Sequence, residues 1–196
     1  MQNKKGLITI PRIISGSARK LRLEFPRGCD VRPTADNVKE ALFNIISPLV
    51  PGAVVLDLFA GTGSLGIEAL SRGAARAVFA DSDPSCCTTV GRNLEKARLS
   101  ANALVIQGSS PSILSRIPDG PFDILFLDPP YGRKLIEKTM DNIRYGDIIK
   151  EKTLIAAEHH AREVPSLNLP GCRLIDRRNY GEVTLSFYII DAPDAD

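Results

Sequence analysis

The chain has 196 residues, 43% hydrophobic and 24% charged, with a formal net charge of +2. That length suits one well-packed domain better than two, and the composition is that of a soluble globular protein, which excludes a wholly disordered chain. The first apolar run, Leu7 to Ile10, stops at Pro11 and is too short for a signal-peptide core or a membrane span, so a cytoplasmic protein is expected.

Arg12 to Phe25 alternates in places, with Leu21, Leu23 and Phe25 set against Arg22 and Glu24. Ser15-Gly16-Ser17 is a turn signal between its halves, and a short β-hairpin is expected. Thr34, after Pro33, is placed as an N-cap. Val38, Leu42, Ile45, Ile46 and Leu49 then follow helical spacing until Pro48 and Pro51-Gly52 end the helix, read over 35–47. From Ala53 short apolar strands alternate with helices. Val54 to Leu56 leads through a glycine-rich loop into a helix around 65–71, and Ala77 to Ala80 precedes a helix from about Pro84 to Arg98. Ala103 to Ile106 is a third strand, followed by a short helix near Ile113. Phe122 to Leu127 is a fourth, followed by a helix around 135–143, and Leu154 to Ala157 is a fifth. The end differs: Arg173 to Arg178, a turn at Asn179-Tyr180-Gly181, and Val183 to Ile190 form a hairpin. The expected fold is α/β and Rossmann-like: a seven-stranded, mostly parallel sheet covered on both faces, finished by an antiparallel C-terminal hairpin. Residues 1–50 are read as a hairpin-and-helix extension and 51–196 as the main domain, the whole as a monomer.

Cys86 and Cys87 are adjacent while Cys29 and Cys172 are isolated, and His159 and His160 are the two histidines. No zinc spacing results, so no metal is expected and the cysteines are read as reduced and structural. Charge is uneven. Residues 1–32 hold eight Lys or Arg against Glu24 and Asp30, and the remainder is net acidic. A basic arm on an acidic body fits a docked polyanion or a solvated tail, and charge alone does not choose.

Gly61-Thr62-Gly63-Ser64-Leu65-Gly66 is a GxGxxG directly after a strand and opening a helix. Glycines there let the backbone turn sharply and approach a ligand, with the helix N-terminus facing it. Asp81 ends the next strand, 20 residues beyond Gly61, where a carboxylate can accept from ribose hydroxyls. The pattern serves NAD enzymes and S-adenosylmethionine (SAM) enzymes alike. Asp57, at the first strand's end, would repel a pyrophosphate but can bind the methionine ammonium, so SAM is the better reading.

Asp128-Pro129-Pro130-Tyr131 follows the fourth strand at its C-terminal end. An exocyclic amine on a base is a poor nucleophile because its lone pair is delocalised into the ring. Acceptors that hold its N–H groups while the nitrogen becomes tetrahedral favour methyl transfer, and the Asp128 carboxylate and Pro129 carbonyl supply them. Two prolines fix the turn, and Tyr131 offers a flat face to an extruded base. The blander reading is a strand terminator with Asp128 capping a helix.

These motifs resemble class I SAM methyltransferases with the [DNS]-P-P-[YFW] turn. Arg32-Pro33-Thr34, Asp36, Val38, Glu40 and Leu42-Phe43-Asn44, together with Leu56 to Ala74, resemble the RsmD-type bacterial family that makes N2-methylguanine in 16S ribosomal RNA, over about 12–188. The resemblance implies that Asp57, Phe59, Gly61, Thr62, Gly63, Asp81, Ser82 and Ser109 hold SAM. It implies that Asp128, Pro129, Pro130 and Tyr131 hold the guanine amino group. It also implies that Arg12, Arg19, Lys20, Arg22, Arg32, Thr34 and Asn44 meet 16S rRNA within the small subunit or its assembly intermediate. The third strand ends in Gln107-Gly108-Ser109 where many relatives place an acid. Ala18 and Lys20 stand where relatives often have an aromatic and a glycine.

Glu158 is read as a solvated strand-end carboxylate, and His159 and His160 as surface residues. Arg173, Arg177 and Arg178 either extend an RNA surface or guard an edge hairpin. The alternatives are an N6-adenine nucleic-acid methyltransferase, for which the chain has no room for a sizeable recognition domain, and a non-catalytic RNA-binding assembly factor.

Overall fold

The computed structural model describes residues 10–26, 35–118, 120–143, 146–165 and 171–191. Its elements in chain order are α1 (Asp36–Ile46), β1 (Val54–Asp57), α2 (Ser64–Ser71), β2 (Arg76–Asp81), α3 (Pro84–Ala97), β3 (Ala103–Gln107), β4 (Phe122–Leu127), α4 (Leu135–Met140), β5 (Ile149–His160), β6 (Cys172–Tyr180) and β7 (Val183–Ile190). They build one seven-stranded sheet in the order β3-β2-β1-β4-β5-β7-β6. The pairs from β3 to β5 are parallel; β5–β7 and β7–β6 are antiparallel. This is the expected Rossmann-like sheet with an antiparallel end.

Alternation along the strands splits the core in two. Val55, Ile124 and Phe126 face α1, α2 and α3 through Leu42, Phe43, Ile67 and Val90. Leu56, Val78, Leu125 and Leu127 face the other way, against Ile136 and Met140 of α4 and a short 3-10 turn at Ile113 and Leu114. Both faces of the parallel strands are therefore buried, which is why they read as continuous apolar runs. No helix among the described residues is long and apolar enough to cross a membrane.

The N-terminal arm forms the expected short hairpin, with its turn at 17–20 rather than at Ser15 to Ser17. An antiparallel bridge between Arg12 and Arg22 joins its halves, with hydrogen bonds from Ile13 N–H to the Leu21 carbonyl (2.9 Å), Lys20 N–H to the Ile13 carbonyl (2.8 Å) and Leu23 N–H to the Pro11 carbonyl (2.9 Å). Other backbone donors of the arm tie it to the body. The Ile14 and Ser15 N–H groups donate to the Glu68 carboxylate (2.7 and 3.0 Å), Ala18 N–H to Ser71 Oγ (2.9 Å), and Glu24 N–H to Asn93 Oδ1 (2.7 Å). Gly16 passes so close to the α2 terminus that a Cβ would lie 1.7 Å from the Ser71 carbonyl oxygen. Lys20 holds φ +70°, the glycine-type conformation that the family pattern at this position suggests.

Helix α1 starts at Asp36 with Ala35 as its cap and no side-chain capping bond; Thr34, the expected cap, and Arg32 lie outside the described residues, as does Cys29. β5 is longer than expected, because its first residues pair with β4 at Phe122 across an irregular register. α4 ends at Met140 rather than near Ile143. The C-terminal hairpin turns tightly at Gly181-Glu182, and its arginines are engaged: Arg173 with Asp191 and Arg178 with Asp176.

An ion cluster with a fully buried Lys39–Glu68 pair at its centre fastens the arm to α1 and α2. Glu68 accepts from Arg72 Nε (2.7 Å), and Lys39 Nζ stands 3.8 Å away; neither Lys39 nor Glu68 has exposed side-chain surface. Lys39 Nζ also donates to the Arg12 carbonyl (2.6 Å) and Ser64 Oγ (2.8 Å). Burial pulls the Lys39 ammonium pKa down, and Glu68 opposes this. Removing one partner of such a cluster leaves an uncompensated buried charge. Lys39→Ala is therefore expected to cost about 3–5 kcal/mol, read as a lowered urea midpoint at unchanged slope.

Candidate active site

Four carboxylates stand at the C-terminal ends of four neighbouring strands: Asp81 on β2, Asp57 on β1, Asp128 after β4 and Glu158 on β5. In an open parallel sheet that edge is where ligands bind, and here it includes the point at which strand order reverses, between β1 and β4.

The glycine loop is tied to the first two acids. Gly61 N–H donates to Asp81 Oδ2 (2.8 Å), and Gly66 N–H donates to Asp57 Oδ2 (3.0 Å). Asp81 Oδ1 also accepts from Asp83 N–H (2.9 Å), which fixes its orientation at the head of α3. Gly63 caps α2 at φ +78°, a conformation that L side chains rarely adopt. Gly66 serves packing: a Cβ there would lie 2.2 Å from the Phe79 ring. Phe59 is half-buried, Thr62 buried, and Ser82 and Ser109 exposed beside the ends of β2 and β3, where Gly108 N–H meets the Asp81 carbonyl.

Asp57 is 2% exposed. Burial pushes its carboxyl from an ordinary 3.8 up to about 7; the Gly66 N–H opposes this, and the negative charges of Asp128 and Asp81 add to it. Asp57, Asp81 and Asp128 thus share one electrostatic neighbourhood, unfavourable to an anion and favourable to a cation.

Pro129 is buried and Pro130 exposed in the turn after β4. Tyr131 is held from β5: its hydroxyl donates to Glu158 Oε1 (3.1 Å), and its ring meets His160 edge-on at 5.8 Å between centroids. Gly132 N–H donates to Glu163 Oε2 (2.8 Å), anchoring the far end of the turn. These residues border a cavity of about 440 Å³ whose walls include Pro129, Pro130, Tyr131, Glu158 and Arg162. Two expectations are corrected here. Glu158 is 7% exposed rather than solvated, because β5 continues beneath the turn. His159 is 2% exposed, packed against β7 with Nε2 2.9 Å from Ser186 Oγ, while His160 is half-buried against Tyr131. Among the described residues no cluster of His, Cys, Asp and Glu gathers to hold a metal ion.

The basic residues are spread out. Arg12 is exposed and pairs with Asp36 at 2.7 Å; Arg22 and Asn44 are exposed on the arm and α1. Arg19 and Lys20 lie at the arm's turn, in a shallow groove with Lys96 and Arg98 at the end of α3. Because α3 runs back along the sheet for 14 residues, that groove is about 20 Å from the helix's catalytic-side end. Charge counting along the arm missed Lys96 and Arg98, which the fold brings to it.

A buried acid whose folded pKa is raised holds a proton that the unfolded chain releases. Between about pH 4 and 7 this makes stability fall as pH rises. Relative to Asp57→Asn, the wild type is expected to lose on the order of 3 kcal/mol between pH 5 and pH 8. Urea unfolding of both proteins at the two pH values measures this, and parallel pH profiles would refute it.

Comparison with known proteins agrees with this geometry. The family described as conserved hypothetical protein 95 matches residues 11–189. Ribosomal RNA small subunit methyltransferase D of Escherichia coli is 37% identical over 147 residues, 75% of this chain and 73% of that protein. The protein of the same name from Haemophilus influenzae is 35% identical over 188 residues, 95% of each. Among solved structures, a candidate methyltransferase of Escherichia coli, yhhF, superposes with a TM-score of 0.83 at 32% identity, covering 94% of this chain and 99% of that one. The chain belongs to the conserved hypothetical protein 95 family, the RsmD-type methyltransferases that use SAM.

Proposed function

We propose that this protein transfers a methyl group from SAM to the exocyclic N2 of a guanine in 16S rRNA, within the small ribosomal subunit or its assembly intermediate. The observation that carries this reading is the Asp128 to Tyr131 turn, set at the end of β4 beside the glycine loop in a chain 35–37% identical to proteins named ribosomal RNA small subunit methyltransferase D.

The residues present fit the cofactor. SAM carries a sulfonium and an ammonium, and the shared field of Asp57, Asp81 and Asp128 favours cations where a pyrophosphate would be repelled. When bound, SAM supplies an electrophilic methyl group. Gly61 to Gly63 and Asp57 hold its methionine end, Asp81 its ribose, and Phe59, Thr62, Ser82 and Ser109 complete the surround. The Asp128 carboxylate and the Pro129 carbonyl accept from the guanine amino group and stabilise the positive charge that develops on its nitrogen. Tyr131, held by Glu158 and His160, gives the base a surface to stack on.

Arg12, Arg22, Arg32, Thr34 and Asn44 serve the RNA as well, Arg12 and Arg22 from the arm and Asn44 from α1. Arg19 and Lys20, with Lys96 and Arg98, meet phosphates farther along it. Such contacts position without reading sequence.

Three measurements test the reading. Labelled SAM is expected to methylate small subunits that lack the modification and to leave duplex DNA unlabelled. Asp128→Ala is expected to lose at least about 10²-fold in kcat, the scale of removing an oxyanion-type hydrogen bond, while thermal stabilisation by SAM persists; full activity in that variant would defeat the proposal. Replacing both Arg19 and Lys20 with Ala is expected to flatten the log–log salt dependence of subunit binding by about 0.7–0.9 for each phosphate no longer neutralised. An unchanged slope would remove them from the RNA surface.

A further inference from the structure

The Asp-Pro-Pro-Tyr turn accepts hydrogen bonds from an amino group without distinguishing guanine from adenine. We infer that Glu158 makes that choice, reading the guanine N1–H from the β5 side of the cavity. This rests on the assignment of a guanine N2 acceptor above and names the group that enforces it.

The placement follows from strand register. β4 and β5 are parallel neighbours with Leu127 level with Ala157. β4 ends there and the turn begins at Asp128, while β5 continues through Glu158. Glu158 is 7% exposed and is a wall of the 440 Å³ cavity that Pro129, Pro130 and Tyr131 also border. Cavities of roughly 300–1,000 Å³ hold small ligands, and a single base turned out of its stack is such a ligand. Oε1 of Glu158 accepts from the Tyr131 hydroxyl, which aligns the carboxylate with the edge of the ring on which the base stacks.

The chemistry then discriminates. Guanine presents its C2 amino group and N1–H side by side, two donors in a row. Adenine presents its amino group beside N1, an acceptor. A carboxylate only accepts. Glu158, on the cavity wall with Pro129 and Tyr131, therefore matches guanine N1–H beside the amino group and faces adenine N1 with repulsion. A site that hydrogen-bonds one edge rejects an analogue lacking the donor more strongly than shape alone can.

The experiment uses small subunits reconstituted with 16S rRNA carrying either guanine or 2,6-diaminopurine at the nucleotide where the labelled methyl maps. Both bases carry the C2 amino group, but diaminopurine has an acceptor at N1. The wild type is expected to favour guanine by roughly 10²-fold in kcat/KM. In Glu158→Gln, whose amide offers one donor and one acceptor, the preference is expected to fall below about tenfold, with SAM stabilisation retained as evidence of folding. Tyr131→Phe keeps the ring and removes the hydroxyl that aligns Glu158, and is expected to lower the guanine preference by less than Glu158→Gln does. A Glu158→Gln enzyme with the wild-type preference overturns the assignment. So does a Tyr131→Phe enzyme that loses the preference equally, because Glu158 would then act through the tyrosine. A wild type inert on guanine but active on an adenine instead defeats the underlying guanine reading.

Discussion

The structure depends on one buried carboxylate. Glu68 lies on α2, five residues after Gly63, with no exposed surface, and its oxygens take hydrogen bonds from two backbone N–H groups of the N-terminal arm and from Arg72. An isolated buried charge costs several kcal/mol, so these partners cannot leave singly. Lys39 completes the cluster from α1 and reaches Ser64, the first residue of the helix that the glycine loop opens. A second clamp lies on α3. Asn93, fully buried, exchanges hydrogen bonds with both backbone groups of Glu24 and donates to the Thr62 carbonyl within the loop. The arm and the cofactor loop are therefore one mechanical unit, held at Glu68 and at Asn93.

That unit carries a basic surface on a body whose strand ends are acidic. In the proposed function, the acids at the ends of β2, β1, β4 and β5 favour a cationic donor and accept from an amino group, while the arm carries the charge that a polyanion requires. The two demands conflict if mixed, because phosphate near Asp57 and Asp128 would be repelled. The fold separates them by running the arm along α2 and α3, away from the strand ends.

The parallel sheet was legible because each strand is buried on both faces and each helix carries one apolar stripe. The glycine loop, Asp57, Asp81 and the Asp128 to Tyr131 turn were legible because their chemistry is local: a few residues in a row at a strand end. The charged cluster was not. Nothing in the sequence marks Lys39 and Glu68 as buried, since the partners that permit their burial lie up to 54 residues away. The arm's hairpin was legible from its alternation, but its anchorage was not, because Glu68, Ser71 and Asn93 accept from its backbone across more than 50 residues of sequence. Glu158 and His159 read as surface because the length of β5 is set by its pairing with β4 and β7, not by its own apolar run.

The central claim is that the acceptor-lined edge acts on guanine N2 of the small-subunit RNA. Nucleoside mass spectrometry of 16S rRNA from cells with and without this gene tests it most directly. The account predicts that one N2-methylguanine disappears in the deletion strain and returns with the wild-type gene but not with Asp128→Ala. An unchanged set of N2-methylguanines in the deletion strain would contradict it.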